Sequence, residues 1–371
     1  MRSRWLALLA VGLVGGGLVR IGEESPSNFE PAKLAEFVVR LSGFTGGVCV
    51  VLEGDVELAL SLGKRGRFVV QALYGGRSQV EGARRAIRER GLYGRICADL
   101  WSPPRLPYAE NLVNILVAPD FEGLHGKGLK AEEVFRVLRP LGVALLGVKR
   151  RVREVERALR TAGFVEVRSL RGLGLWVLGR KPWPRNIDEW THFTHGPDGN
   201  PVAKDEVVGQ PTRLQWVSRP LWLRAHDTDS SIMAVVTARG RMFYFEDKAP
   251  IGLPGDHPLP DNWHLVARDA FNGVLLWEVP IRGFGWREWK DTWYCRRSWD
   301  IPLNVHRRLV AVGERVYVTL GYNAPVSELD ARTGEVLRTF EGTRNAREIL
   351  VCQGNLIASV KEHNGLRLVA L

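Results

Sequence analysis

Cysteine is scarce in this chain and widely spaced. There are four, Cys49, Cys97, Cys295 and Cys352, and no two lie close enough for a CxxC metal or redox motif or a CxxCH haem attachment site. Cys49 and Cys97 sit in apolar runs and read as buried residues. No His-Glu-x-x-His run, adjacent cysteine pair or lipobox cysteine is present. Acidic residues are outnumbered: 52 Lys and Arg face 41 Asp and Glu, for a net charge of +11 and a pI near 9.8. Such an excess raises nucleic acid as a partner. However, Glu81, Glu89, Glu154 and Glu156 interleave with the arginines at helical spacing, so these runs read as solvated helix faces and no nucleic acid is expected. Long hydrophobic runs are also missing, apart from Trp5–Val19. Those 15 apolar or glycine residues follow Arg2 and Arg4, too short for a typical span and suited to a signal-peptide core. Residues 1–22 are therefore expected to be a signal peptide or amino-terminal anchor. Export to the periplasm or cell envelope follows, with membrane association possible through residues 5–19 and other envelope proteins as partners.

A chain of 371 residues exceeds one ordinary core and points to two domains. From about residue 30 to 180, strand-like runs alternate with helical ones. The strand candidates include Arg67–Gly75, Gly94–Trp101 and Asn111–Asp120, and the helices include Ala32–Ser42, Ser78–Gly91 and Val152–Ala162. The run ends in a hairpin over "GFVEVRSL" and "LGLWVLGR". This alternation argues for a parallel sheet covered on both faces. Pro182 and Pro184 break the pattern, and 181–212 reads as a linker. Beyond it, from 213 to 371, helical periodicity fades. Ten of the 13 tryptophans lie between Trp183 and Trp299, and short strands, Arg213–Ser218 among them, are punctuated by Gly and Asn-Gly turns. That is an antiparallel all-β pattern.

Two stretches repeat one another: "ARDAFNGVLLW" (Ala267–Trp277) and "ELDARTGEVL" (Glu328–Leu337). In each, Asp269 or Asp330 can accept backbone N–H bonds, and Gly273 or Gly334 supplies a positive φ, which makes a tight hairpin. The motif resembles the repeat of the quinoprotein-type, PQQ-like β-propeller, in which the turn and a following aromatic, here Trp277, lock adjacent four-stranded blades. The spacing allows about three blades, fewer than a closed propeller needs. In the first half, "EEVFRVLRPLGVALL" (Glu132–Leu146), the element order and the final hairpin resemble the class I S-adenosylmethionine-dependent methyltransferases. The expected fold class is thus an α/β Rossmann-like, methyltransferase-type domain followed by an all-β partial propeller. With the linker "IDEWTHFTHGPDGNPVAKDEVVG" (Ile187–Gly209), this order resembles a class of exported bacterial PQQ-like repeat proteins with a degenerate methyltransferase-like domain.

The methyltransferase resemblance implies a glycine-rich turn after the first strand, an acidic residue after the second and polar residues after the third and fourth. The sequence offers Gly54, Tyr74, Asp99 and Asp120. Asp55 and Glu57 stand where small residues belong and would repel a carboxylate-bearing ligand. The expectation is a domain without catalytic residues and without a cofactor, with S-adenosylmethionine as the alternative if those four positions still form its site. PQQ is not expected, since the enzymes of that resemblance use a more complete ring and many use adjacent cysteines. Six of the eight histidines lie between His192 and His306, so a metal site over His192, His195, His226 and Asp227 is a further candidate, against turn and cap roles. The Trp-rich insertion Arg282–Asn304 reads as apolar cover. The function expected is binding or scaffolding. The alternatives are a membrane-anchored methyltransferase and a PQQ- or metal-dependent oxidoreductase.

Overall fold

The computed structural model describes residues 30–211, 214–219, 231–249, 261–289 and 302–371. Residues 1–22, expected to be a leader or anchor, and His226, Asp227, Cys295, Trp293 and Trp299 lie outside the described residues. The first half opens with α1 (Pro31–Ser42), which has proline at its first turn and Gly43 in the left-handed region at its end, the usual asymmetry of helix ends. There follow β1 (Gly46–Leu52), α2 (Val56–Gly63), β2 (Arg67–Tyr74), α3 (Arg77–Glu89), β3 (Ile96–Leu100), β4 (Val113–Ala118), α4 (Phe121–Gly126), α5 (Ala131–Val137), β5 (Leu138–Gly147), α6 (Val152–Thr161), β6 (Val165–Arg171) and β7 (Leu175–Arg180). The strands form one seven-stranded sheet in the order β3-β2-β1-β4-β5-β7-β6. β1 to β5 are parallel, and β7 runs antiparallel between β5 and β6.

Period-two alternation explains the two cores of this half. Cys49 and Val51 face a layer with α1, α2 and α3, whereas Val50 and Leu52 face one with α4, α5 and α6. A sheet buried on both faces needs apolar residues at every position, and β4 is buried throughout. Among the described residues no helix is long and apolar enough to cross a membrane. The expected membrane association is corrected to that extent: the described residues contribute no spanning helix, and residues 5–19 lie outside them.

The second half folds as three antiparallel meanders. The first comprises β8 (Ile232–Ala238), β9 (Arg241–Asp247), β10 (Trp263–Asp269) and β11 (Leu275–Pro280). The second comprises β12 (Leu309–Val312), β13 (Arg315–Thr319), β14 (Val326–Asp330) and β15 (Val336–Phe340). The third comprises β16 (Ala346–Cys352), β17 (Asn355–Glu362) and β18 (Gly365–Ala370). The first strands, β8, β12 and β16, lie next to one another in that sequence, and one apolar core spans the first two sheets. Among the described residues the three sheets are separate, and no strand pairing joins the third back to the first. Residues 214–218, expected as a strand, pair with no sheet.

Candidate functional site

In parallel α/β sheets, ligands bind beyond the carboxyl ends of the strands. Here that edge is built from Leu52–Asp55 after β1, Tyr74–Gly76 after β2, Leu100 at the end of β3 and Pro119–Asp120 after β4. The loop from β1 to α2 is short. Asp55 is the N-cap of α2, and its carboxylate accepts the Glu57 N–H at 2.9 Å. The helix end that could hold an anionic group is therefore occupied by the chain's own anion. Glu53 reaches across to accept the Gly75 N–H at 2.8 Å. Gly54 is required by packing: a Cβ there would lie 2.5 Å from a Val51 methyl.

The remaining crevice residues are also committed. Tyr74 is buried, and its pKa is pushed up to about 12 by burial and then by Asp55 and Glu53. Its hydroxyl has no hydrogen-bond partner among the described residues. Asp99 is held by Arg84 at 2.6 Å and by Gln71 at 2.7 Å, and the Tyr108 hydroxyl donates to Gln71 at 2.7 Å. Asp120 caps α4 through the Gly123 N–H at 3.3 Å and faces Lys149 at 3.4 Å. Glu122, which sequence reasoning did not single out, accepts the N–H groups of Lys149, Arg150 and Arg151 at 2.9, 2.9 and 2.7 Å. Burial alone would raise its pKa, but those three bonds outweigh it and the net shift is downward. The structure thus places Gly54, Tyr74, Asp99 and Asp120 along one edge, as the sequence implied. It shows their polar groups turned to internal partners, except the orphaned Tyr74 hydroxyl. Glu53 and Asp55 line the turn after β1, and both carboxylates are bonded to backbone amides there.

The α/β half is methyltransferase-like in fold. Its parallel strands, helix-covered faces and closing β6–β7 hairpin carry that statement. Each of the solved structures given below covers about two fifths of this chain. A proposed S-adenosyl-L-methionine-dependent methyltransferase of Methanococcus maripaludis is 19% identical with a TM-score of 0.38, covering 42% of this chain and 87% of its own. The [4+2]-cyclase SpnF is 16% identical with a TM-score of 0.34, covering 41% and 81%. An S-adenosylmethionine-dependent methyltransferase of Aquifex aeolicus is 18% identical with a TM-score of 0.33, covering 41% and 89%. No protein-family profile and no curated protein matches the chain.

The repeated turns act at the opposite, amino-terminal edge of the sheet. Asp269 Oδ1 accepts the Phe271 N–H at 2.9 Å, the local turn bond expected from sequence. Its Oδ2 is bound by Arg139 Nη1, at the start of β5, and by Asn114 Nδ2, at the start of β4, each at 2.7 Å. The Arg139 and Asp269 side chains are only 2% and 1% exposed. Asn272 extends the contact to the Asn114 side-chain oxygen at 2.7 Å and to the Leu112 carbonyl at 2.9 Å. In the second turn Asp330 accepts the Arg332 and Thr333 N–H groups at 2.8 and 3.1 Å, and its other oxygen faces Arg332 at 3.4 Å and Arg315 of β13 at 4.0 Å.

Both turns are covered by a tryptophan. Trp277 of β11 donates its indole N–H to the Ala331 carbonyl at 3.0 Å, and Trp216 donates to the Ala270 carbonyl at 3.1 Å. A Cβ on Gly334 would lie 2.7 Å from the Trp277 ring, and one on Gly273 would lie 2.3 Å from that of Trp216. Glycine is therefore needed for close approach as well as for its positive φ (77° and 71°). Trp216 and Trp277 are 61 residues apart, as are Asp269 and Asp330. Trp216, in a segment without strand pairing, does for the first turn what Trp277 does for the second. The 61-residue offset was the sequence signal that could have found it.

The linker is not a passive spacer. The Thr237 N–H of β8 donates to the Trp190 carbonyl at 2.7 Å, and the Ala311 N–H of β12 to the Thr191 carbonyl at 2.9 Å. The Val351 N–H of β16 donates to His192 Nε2 at 3.1 Å. Three successive residues thereby tie the three sheets. His192 Nδ1 is bonded to the Thr191 hydroxyl at 2.8 Å, and His195 Nε2 to Asp188 at 2.7 Å. Among the described residues no three His, Cys, Asp or Glu side chains converge as a metal would require. Within the expected metal set, the structure commits His192 to the sheets and His195 to Asp188.

Burial lowers the His192 pKa from 6.5 to about 4, with Asp198 opposing the shift. The unfolded chain then takes up this proton at a higher pH than the folded one. The stabilising contribution is full above about pH 6.5 and is lost as pH falls through about 4. Urea midpoints should fall over that window, and His192→Gln should flatten the dependence. An unchanged pH profile in the variant would rule out this assignment.

Proposed function

We propose that this chain is a binding or scaffold protein in which a methyltransferase-like α/β domain has lost its cofactor chemistry and serves as the base for an array of PQQ-like blades. The observation that carries the reading is Asp55 capping α2, with Glu53 beside it on Gly75. An anionic group entering that turn would have to displace a carboxylate from the helix end and then meet a second one. The blade assignment is supported by the successive meanders, their adjoining first strands and the matched Trp216 and Trp277 contacts.

Ligand linkage tests the proposal. With 1 mM S-adenosylmethionine or S-adenosylhomocysteine, the melting temperature of the full chain should stay within measurement error. A rise of several degrees with either compound would favour the methyltransferase reading instead.

A further inference from the structure

A groove of about 570 Å³ opens where the amino-terminal end of β2 meets the first repeated turn, at the edge of the sheet opposite the crevice. Its charged lining is Arg67, Arg95 and Arg268, with Ser218 beside them and no acidic side chain. Arg268 is 7% exposed. It donates to the Tyr244 hydroxyl at 2.6 Å, the Gly273 carbonyl at 3.0 Å and the Arg219 carbonyl at 3.4 Å. All three partners are neutral, and they engage three of the five N–H donors a guanidinium carries. Arg95 is likewise bonded only to carbonyls, those of Phe68 and Gly66. Arg67 makes no side-chain bond among the described residues. Glu278, whose carboxylate feels the field of Arg67, is paired with Lys248.

A buried charge without a counter-ion is costly, and Arg139 in the same interface shows how this chain meets that cost, with a carboxylate. Among the described residues no carboxylate is bonded to Arg268, though Glu246 and Glu278 act on its partner Tyr244. We propose that the groove binds a small multivalent oxyanion, of phosphate or carboxylate type, which pairs with Arg268 at the base and with Arg67 and Arg95 at the mouth. Guanidinium forks suit both groups through paired N–H bonds. The site couples ligand to architecture, because Gly273 belongs to the turn that joins the two halves. It is independent of the scaffold reading, since a ligand at the opposite crevice would leave it untouched.

Calorimetric titration of the full chain with inorganic pyrophosphate, and separately with citrate, tests the proposal at low salt. One-to-one binding of either is expected, weakened at least about tenfold by Arg67→Glu and weakened by Arg268→Lys, which keeps the charge but loses the fork. Arg67 is exposed, so Arg67→Glu should melt as the parent does, and it decides the matter if Arg268→Lys fails to fold. Binding of pyrophosphate alone assigns phosphate chemistry, and binding of citrate alone assigns carboxylate chemistry. No binding tighter than about 1 mM, or equal binding by the parent and Arg67→Glu, would overturn the site.

Discussion

Asp269→Ala is expected to destabilise the chain by about 3–5 kcal/mol, the cost of leaving a buried charge without its partner. Arg139 has no route to water, being 2% exposed and enclosed by the Phe44 and Phe271 rings at 5.2 and 4.8 Å. Removing the carboxylate would strand that guanidinium and the Asn114 amide together. The same substitution in the second turn supplies the control. Asp330 faces Arg332 and Arg315, whose side chains are 49% and 42% exposed and can turn to solvent. Asp330→Ala should therefore cost only about 1–2 kcal/mol, the loss of a turn cap. Urea denaturation of both variants gives the comparison. Equal losses would mean that Asp269 acts only within its hairpin. The pair Arg139→Met with Asp269→Leu should recover much of the loss, because apolar residues of similar volume can replace a buried ion pair.

Trp277→Ala should cost a similar amount, about 3–5 kcal/mol for a buried aromatic. Its ring fills the join between the first two sheets, against Phe243 and over the Gly334 turn, and its N–H has the Ala331 carbonyl as partner. Trp277→Phe should keep most of the packing and lose about 1 kcal/mol for the hydrogen bond. Trp216→Ala should cost less than Trp277→Ala, since Trp216 is only partly buried. If Trp277→Ala unfolds with the midpoint of the parent, the sheets are held together by something other than the tryptophan lock.

Much of this architecture is legible in the sequence because its signals are local. Apolar runs closed by glycine mark the parallel strands, and Asp-Ala-x-x-Gly marks both turns. What escapes is where a side chain goes once its local duty is done. Asp269 reads as a turn residue and is one, but its second oxygen binds Arg139 and Asn114, 130 and 155 residues away. Arg139 lies in the stretch that resembles the methyltransferase motif, and nothing nearby marks it as an interface residue. Asp55 and Glu53 illustrate the same point. Their charge suggests repulsion of a ligand, while their actual bonds, to the Glu57 and Gly75 amides, depend on how tightly the loop turns. His192 and His195 suggest a metal because of their spacing. Burial and the Val351 amide give His192 a different role, which only the placement of three sheets around the linker reveals. α4, six residues long, is too short to leave a periodic pattern.

The proposed function turns on Asp55 and Glu53 keeping S-adenosylmethionine out of the crevice at the carboxyl edge of the α/β sheet. Calorimetric titration of the full chain with S-adenosylmethionine and S-adenosylhomocysteine tests it most directly. The account predicts no detectable heat of binding from the folded protein. Binding tighter than about 100 μM, abolished by Asp99→Ala, would contradict it and make the α/β half a working cofactor domain.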